Sequence, residues 1–210
     1  MTRTTPVPLL LVLTACGGGS GGTAPAPAVP TAPSTPVTEI LRGSVVDPAG
    51  DPRTFAPSGI SPDLIGGLVV VTSDKQVTFT ASFLPGTFRK SATRVQWALD
   101  LDEIASTGFA SDGQGVDYII SLGSDYHGSE ARVSQLVQLN GFDDWPLEMG
   151  RLPVTFGTDS IEVRVPLATL AGDDGRFRFR VTASTQLTAT GFTSPLDFMP
   201  DRDLAAGTVR

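Results

Sequence analysis

The chain has 210 residues, 40% of them hydrophobic and 18% charged, with a formal net charge of −7 and a pI near 4.6. That apolar content excludes a wholly disordered chain, and the acidity argues against a nucleic-acid-binding face. No apolar run reaches the roughly 18 residues of a membrane-spanning helix, and a single cysteine leaves no internal disulfide framework and no Cys-based zinc cluster.

In chain order, the first element is an address. Arg3 and the amino terminus form a positive start, and Pro8-Leu9-Leu10-Leu11-Val12-Leu13 form a short apolar core. Leu13-Thr14-Ala15-Cys16 follows. The four residues resemble the lipobox of bacterial lipoproteins. The resemblance implies that residues 1–15 are a signal peptide, that Cys16 is lipidated, and that the mature protein is extracytoplasmic and held to the membrane through Cys16. In Gram-negative families of such lipoproteins an Asp after the Cys favours inner-membrane retention; Gly17 stands there instead, so the resemblance implies the outer membrane or cell surface.

Residues 16–37 read as the anchor and a tether. The Gly/Ser run from Gly17 is flexible, and the Ala-Pro and Thr-Pro repeats from Ala24 to Pro36 favour extended, semi-stiff chain. Without large apolar side chains this segment cannot bury enough area to fold. Residues 38–210 show no internal repeat and no second linker, so they are expected to form a single domain.

The periodicity of that domain is two. Residues 42–66 are a Gly/Pro/Asp-rich lead-in with one short strand. Leu68-Val69-Val70-Val71-Thr72 is a continuous β-branched run. Val77, Phe79, Ala81 and Phe83 alternate with small polar residues, as do Val95, Trp97, Leu99 and Leu101 with Gln96, Ala98, Asp100 and Asp102. Tyr118 to Leu122, a less regular Val133 to Leu139, and Ile161 to Val165 follow. The last run alternates Phe177, Phe179, Val181 and Ala183 with Arg176, Arg178, Arg180 and Thr182. Each run has one apolar and one wet face, which predicts strands of an antiparallel sheet packed on one side. Turn signals such as Pro85-Gly86, Ser111-Asp112-Gly113 and Asn140-Gly141 separate them. The prediction is an all-β, antiparallel β-sandwich of jelly-roll type, with one helical turn at Pro166–Leu170.

Within this pattern stand Leu99-Asp100-Leu101-Asp102, Ser106-Thr107-Gly108, Gly115-Val116-Asp117-Tyr118-Ile119-Ile120 and the late Val165–Leu170 stretch. Residues 62–204 resemble the jelly-roll sandwiches of the DOMON-like superfamily, including the family-nine carbohydrate-binding modules. The resemblance implies a sandwich that binds a sugar or haem, or has no small ligand. Haem-binding members use Met and His ligands, and nothing in the spacing of His127, Met149 and Met199 supports such a pair.

Asp100 and Asp102 are two apart on a predicted strand, so both are placed on one face, about 7 Å apart. With Asp112 and Asp117 they offer oxygen ligands of the kind that suit Ca²⁺, and the resemblance agrees, since calcium occurs in sugar-binding relatives. Alternatively these aspartates cap the loop through backbone N–H groups. The predicted loop Asn140–Pro146 joins an aromatic, Trp145, to the carboxylates Asp143 and Asp144, and Tyr126 and His127 lie in a nearby loop. Such a set suits a sugar, the ring stacking on its apolar face and the acids accepting its hydroxyls. Alternatively Phe142 and Trp145 plug one end of the sandwich.

Catalysis has thin support: one histidine, no nucleophile elbow and no histidine cluster for zinc. The row Arg176, Arg178, Arg180 reads as a solvated face. The expected function is a lipid-anchored, non-enzymatic binding module for a polysaccharide. The alternative is a structural lipoprotein that docks an envelope protein and takes no small ligand.

Overall fold

Period-two patterning becomes an antiparallel sheet that folds over on itself. The computed structural model describes residues 35–52, 61–123, 129–139, 142–185, 197–201 and 204–210; for 138, 139 and 142–145 it describes the backbone. The strands are β1 (Glu39–Val46), β2 (Leu64–Thr72), β3 (Gln76–Phe83), β4 (Thr93–Asp100), β5 (Phe109–Ser111), β6 (Gln114–Val116), β7 (Tyr118–Leu122), β8 (Glu130–Leu139), β9 (Phe142–Phe156), β10 (Ser160–Pro166), β11 (Arg178–Thr185), β12 (Asp197–Met199) and β13 (Gly207–Thr208). Leu167–Leu170 form one 3-10 turn, at the place where the sequence predicts a helical turn. Pro36–Arg210 make one compact unit.

The strand order is β1-β2-β3-β10-β9-β8-β7-β4-β11-β12, with β13 also on β11, and each pairing is antiparallel. The first four strands form one wall, and β8, β7, β4, β11 and β12 form the other. β9 belongs to both, because Phe142–Pro153 pairs with β8 and Val154–Phe156 with β10. The far edges approach as well. Arg42 N–H donates to Arg210 O and Arg210 N–H to Arg42 O, each at 3.2 Å. These bonds occupy part of the open edge of β1, which would otherwise be free to pair with another chain. Gly43 permits the approach, since a Cβ there would sit 2.6 Å from Thr208 O. The result is the all-β antiparallel sandwich that the alternation predicts, curled nearly to a barrel.

The core is the inward set of that alternation. Val77, Phe79, Ala81 and Phe83 of β3, Val95, Trp97 and Leu99 of β4, and Phe179, Val181 and Ala183 of β11 are all buried. The two walls meet where the Phe79 ring lies 6.2 Å from Trp97, with Phe177 stacked 5.9 Å from Phe79.

Three expectations need correction. The lead-in strand is not a short piece of 42–66: β1 begins at Glu39 and runs eight residues, because its backbone goes on pairing with β2 from Val46 opposite Gly66 through Arg42 opposite Val70 and, past a register shift between Glu39 and Leu41, to Glu39 opposite Thr72. Residues 142–146 are not a loop. They open β9, where Trp145 pairs with Val137 and Pro146 with Leu136, so long-range pairing overrides the local Asp-Asp and Pro signals. Arg180 is not on a solvated face. It is 3% exposed, because the chain after β12 covers it. Its Nη1 donates to Pro200 O (2.6 Å) and Asp201 O (2.7 Å), and its Nη2 to Leu204 O (2.8 Å). Arg176 and Arg178 do remain on the surface, beside Asp174 and Glu103 respectively.

Candidate functional site: an acidic loop and the cleft beside it

β4 carries the chain to Asp100 and stops there. Asp102 therefore does not share a strand face with Asp100; it lies on the following bend, exposed. Carboxylates make that bend. Leu101 N–H donates to Asp117 Oδ2 at 2.8 Å and Ile104 N–H to Asp102 Oδ1 at 2.9 Å. Thr107 Oγ1 donates to the Asp102 carboxylate at 2.8 to 2.9 Å. Loop capping is thus part of what these residues do, and it is the competing role the sequence left open.

Asp100 itself is wholly buried. The hairpin β5–β6 lies over the outer face of the wall at this end, and Gln114, Gly115 and Val116 are all buried beneath the 101–108 loop. Gly115 is required there, because a Cβ would collide with the carbonyl oxygens of Ile104 and Thr107. Gly115 N–H donates to Asp100 Oδ2 at 3.4 Å, and Arg178 Nη1 stands 3.9 Å from the same oxygen. Asp100 Oδ1 is buried with no hydrogen-bond partner.

One carboxylate oxygen from each of Asp100, Asp102 and Asp117 lies within 4.8 Å of the others. Two oxygens on one Ca²⁺, each at about 2.3–2.6 Å, sit at most about 5 Å apart. Burial pushes Asp100 above the usual carboxylate range, against the Gly115 N–H and Arg178, and burial likewise raises Asp117. The Ile104 N–H, helped by Thr107, holds Asp102 below that range. The group thus combines one carboxylate held low with two raised by burial, of which Asp100 faces a single cation among the described residues, Arg178, at 3.9 Å.

Asp112 is not brought into this group. Asp112-Gly113 is the two-residue turn of the β5–β6 hairpin, with φ of 46° and 80°, and Ser111 pairs with Gln114 across it. The turn is at the opposite end of the hairpin from Asp117, about 10 Å away along three residues of strand. Of the other sequence-derived candidates, Tyr126 and His127 lie outside the described residues, as does Cys16. Asp143, Asp144 and Trp145 are on β9, their side chains also outside the description.

Sequence reasoning missed the cleft that the hairpin walls. A cleft of about 230 Å³ runs between the hairpin and the outer face of β4, β7 and β11, lined by Gln96, Phe109, Ser111, Gln114, Ile119 and Thr182 among others. A wider one of about 640 Å³ adjoins it around the hairpin tip, sharing Asp112 and Gln114 and reaching Arg178 and Arg210. Phe109, 45% accessible, lines the narrower cleft, whose walls mix these polar groups with Ala98, Val116, Ile119 and Phe198. Gln114 is 2% exposed, and its Nε2 has no hydrogen-bond partner. The signal in the sequence was Thr107-Gly108-Phe109-Ala110-Ser111: one large aromatic among small residues, outside any alternating run.

No family model, curated protein or solved structure matches this chain. Function has to be carried by the chemistry of the site.

Proposed function

We propose that the protein is a lipid-tethered extracytoplasmic module that binds a glycan in the cleft beside hairpin β5–β6. Ca²⁺ at Asp100, Asp102 and Asp117 holds that hairpin in place. The observation that carries the reading is the lining of the cleft. An exposed aromatic, Phe109, shares the cleft with amide and hydroxyl groups from Gln96, Gln114, Ser111 and Thr182 and with the apolar side chains of Ala98, Val116, Ile119 and Phe198. A sugar ring presents the complement: axial C–H groups for the aromatic face and a rim of hydroxyls that donate and accept. The unpartnered Gln114 Nε2 is a buried donor, and an unmet donor there is costly until a ligand oxygen meets it.

Calcium fits the same account. The cation site lies at the base of the hairpin that carries both Phe109 and Gln114, and Gly115 N–H already ties the hairpin to Asp100. Tethering follows from the lipobox-like Cys16 and the uncharged Gly/Pro-rich segment behind it, which hold the binding face clear of the lipid. Among the described residues no helix is long and apolar enough to cross a membrane.

The test is binding of the full chain to a panel of neutral and acidic oligosaccharides. Phe109→Ala is expected to weaken the retained glycan by roughly 10- to 100-fold, the effect of losing about 1.5–3 kcal/mol of aromatic burial. Because Phe109 is exposed in the free protein, its melting temperature should barely move. No retained glycan, or equal affinity for wild type and Phe109→Ala, would count against the cleft. In cells, Cys16→Ala should leave the protein uncleaved or released from the membrane fraction. Membrane retention of that variant would contradict the anchor.

A further inference from the structure

A second group of carboxylates lies away from the cleft, where the end of β1, the start of β2 and the chain leaving β12 converge. Asp47 follows β1, Asp63 precedes β2, and Asp197 and Asp201 bracket β12 and its exit. One carboxylate oxygen from each of Asp47, Asp51 and Asp201 lies within 4.8 Å of the others. Proximity of acids alone would not make a site. The second observation is Asp47: it is 3% exposed, and neither of its carboxylate oxygens has a hydrogen-bond partner. One of those oxygens belongs to the trio.

The surroundings are built rather than loose. Asp63 is 1% exposed, accepts Gly50 N–H at 2.8 Å on Oδ2, and has an unpartnered Oδ1. Asp197 is 4% exposed and accepts the N–H groups of Leu64 and Phe198. Arg180 fixes the segment that carries Asp201 by donating to the carbonyls of Pro200, Asp201 and Leu204. Burial, then repulsion from Asp51, Asp201 and Asp63, pushes Asp47 up to about 7; burial, then repulsion from Asp47, Asp51 and Asp63 against the Leu64 N–H, raises Asp197 to about 7.

We infer that Asp47, Asp51 and Asp201 bind a divalent cation of the Ca²⁺ class. The oxygen-only donor set, the buried bare carboxylate of Asp47 and the spacing all match that chemistry. The ion would clamp the chain leaving β12 to the junction of β1 and β2, so its role is to fasten the nearly closed sheet. It is independent of the glycan reading and of the cation at Asp100.

The experiment uses the full chain carrying Asp100→Asn and Asp102→Asn, which disables the first site, and titrates it with CaCl₂ by calorimetry. Calcium should still bind. Adding Asp51→Asn or Asp201→Asn should weaken that binding at least about tenfold, since affinity at such sites follows the number of charged ligands. Asp51 is exposed and Asp201 half-buried, so neither change should disturb folding. Melting in EDTA should confirm this, with a midpoint equal to or above that of the parent. Should the Asp100→Asn, Asp102→Asn background fail to fold, the same titration is run on wild type against Asp51→Asn. Loss of one bound ion supports the site there, and an unchanged number with unchanged affinity overturns it. In the first background, no calcium binding at millimolar concentration, or binding indifferent to both substitutions, overturns it equally.

Discussion

Trp97→Ala is expected to destabilise the fold by about 3–5 kcal/mol, the transfer of a large side chain plus the cavity it leaves. Trp97 is fully buried on β4, paired with Ile120 on one side and Val181 on the other, and its ring meets Phe79 of the opposite wall. The cavity would therefore open between the two walls, where neither can collapse without disturbing strand register. For a chain of this size the melting midpoint should fall by about 6–20 °C. Trp97→Phe should cost much less, because the indole N–H is buried without a hydrogen-bond partner and its removal leaves nothing else unpaired. Chemical denaturation of both variants checks this. A loss below about 1 kcal/mol for Trp97→Ala would contradict its place in the core.

In EDTA, the protein is expected to be more stable near about pH 5 than near about pH 8. Asp47 and Asp197 have folded values of about 7 against an ordinary 3.8. A carboxyl raised in this way binds its proton more tightly in the folded than in the unfolded state. Below the ordinary value both states are protonated and nothing is gained or lost. Between it and about 7 the penalty grows, and above about 7 it is complete. For one isolated group that difference is on the order of 4 kcal/mol. Asp47 and Asp197 repel each other, so their costs do not add. Asp102, held low by Ile104 N–H and Thr107, works in the opposite sense and removes stability only at more acid pH. Asp47→Asn should flatten the slope and raise stability on the alkaline side. The measurement is urea denaturation across this range; stability that climbs from about pH 5 to about pH 8 would contradict it.

The alternating runs were legible because the outward positions on those strands are small or polar. Val77, Phe79, Ala81 and Phe83 face the core as period two requires, and so do Val95, Trp97 and Leu99. The pattern misled where another piece of chain covers the outer face. Asp100 and Arg180 occupy wet positions by alternation yet are buried, one under the β5–β6 hairpin and the other under the chain leaving β12. Neither cover is visible within a local window. β9 failed differently. Asp143, Asp144 and Pro146 are poor strand residues; the pairing of Phe142, Trp145 and Pro146 with β8 carries the strand through them, with a register irregularity where Asp143 and Asp144 lie.

At the candidate site, Asp100, Asp102 and Asp117 were within reach of sequence reasoning, since one turn and one hairpin separate them. Asp112 was assigned to the ligand set although Ser111-Asp112-Gly113 already carried a turn signal, and the turn is the role the fold gives it. The cluster at Asp47 was not legible. Its three members span 47 to 201, and only closure of the sheet brings them together.

The most direct test of the glycan-binding account is a structure of the full chain with CaCl₂ and an oligosaccharide retained in the panel. The prediction is a sugar ring over Phe109, with a hydroxyl on Gln114 Nε2 and an ion shared by Asp100, Asp102 and Asp117. A sugar bound elsewhere, for instance along Asp143–Trp145 of β9, with the cleft beside β5–β6 empty, would contradict it.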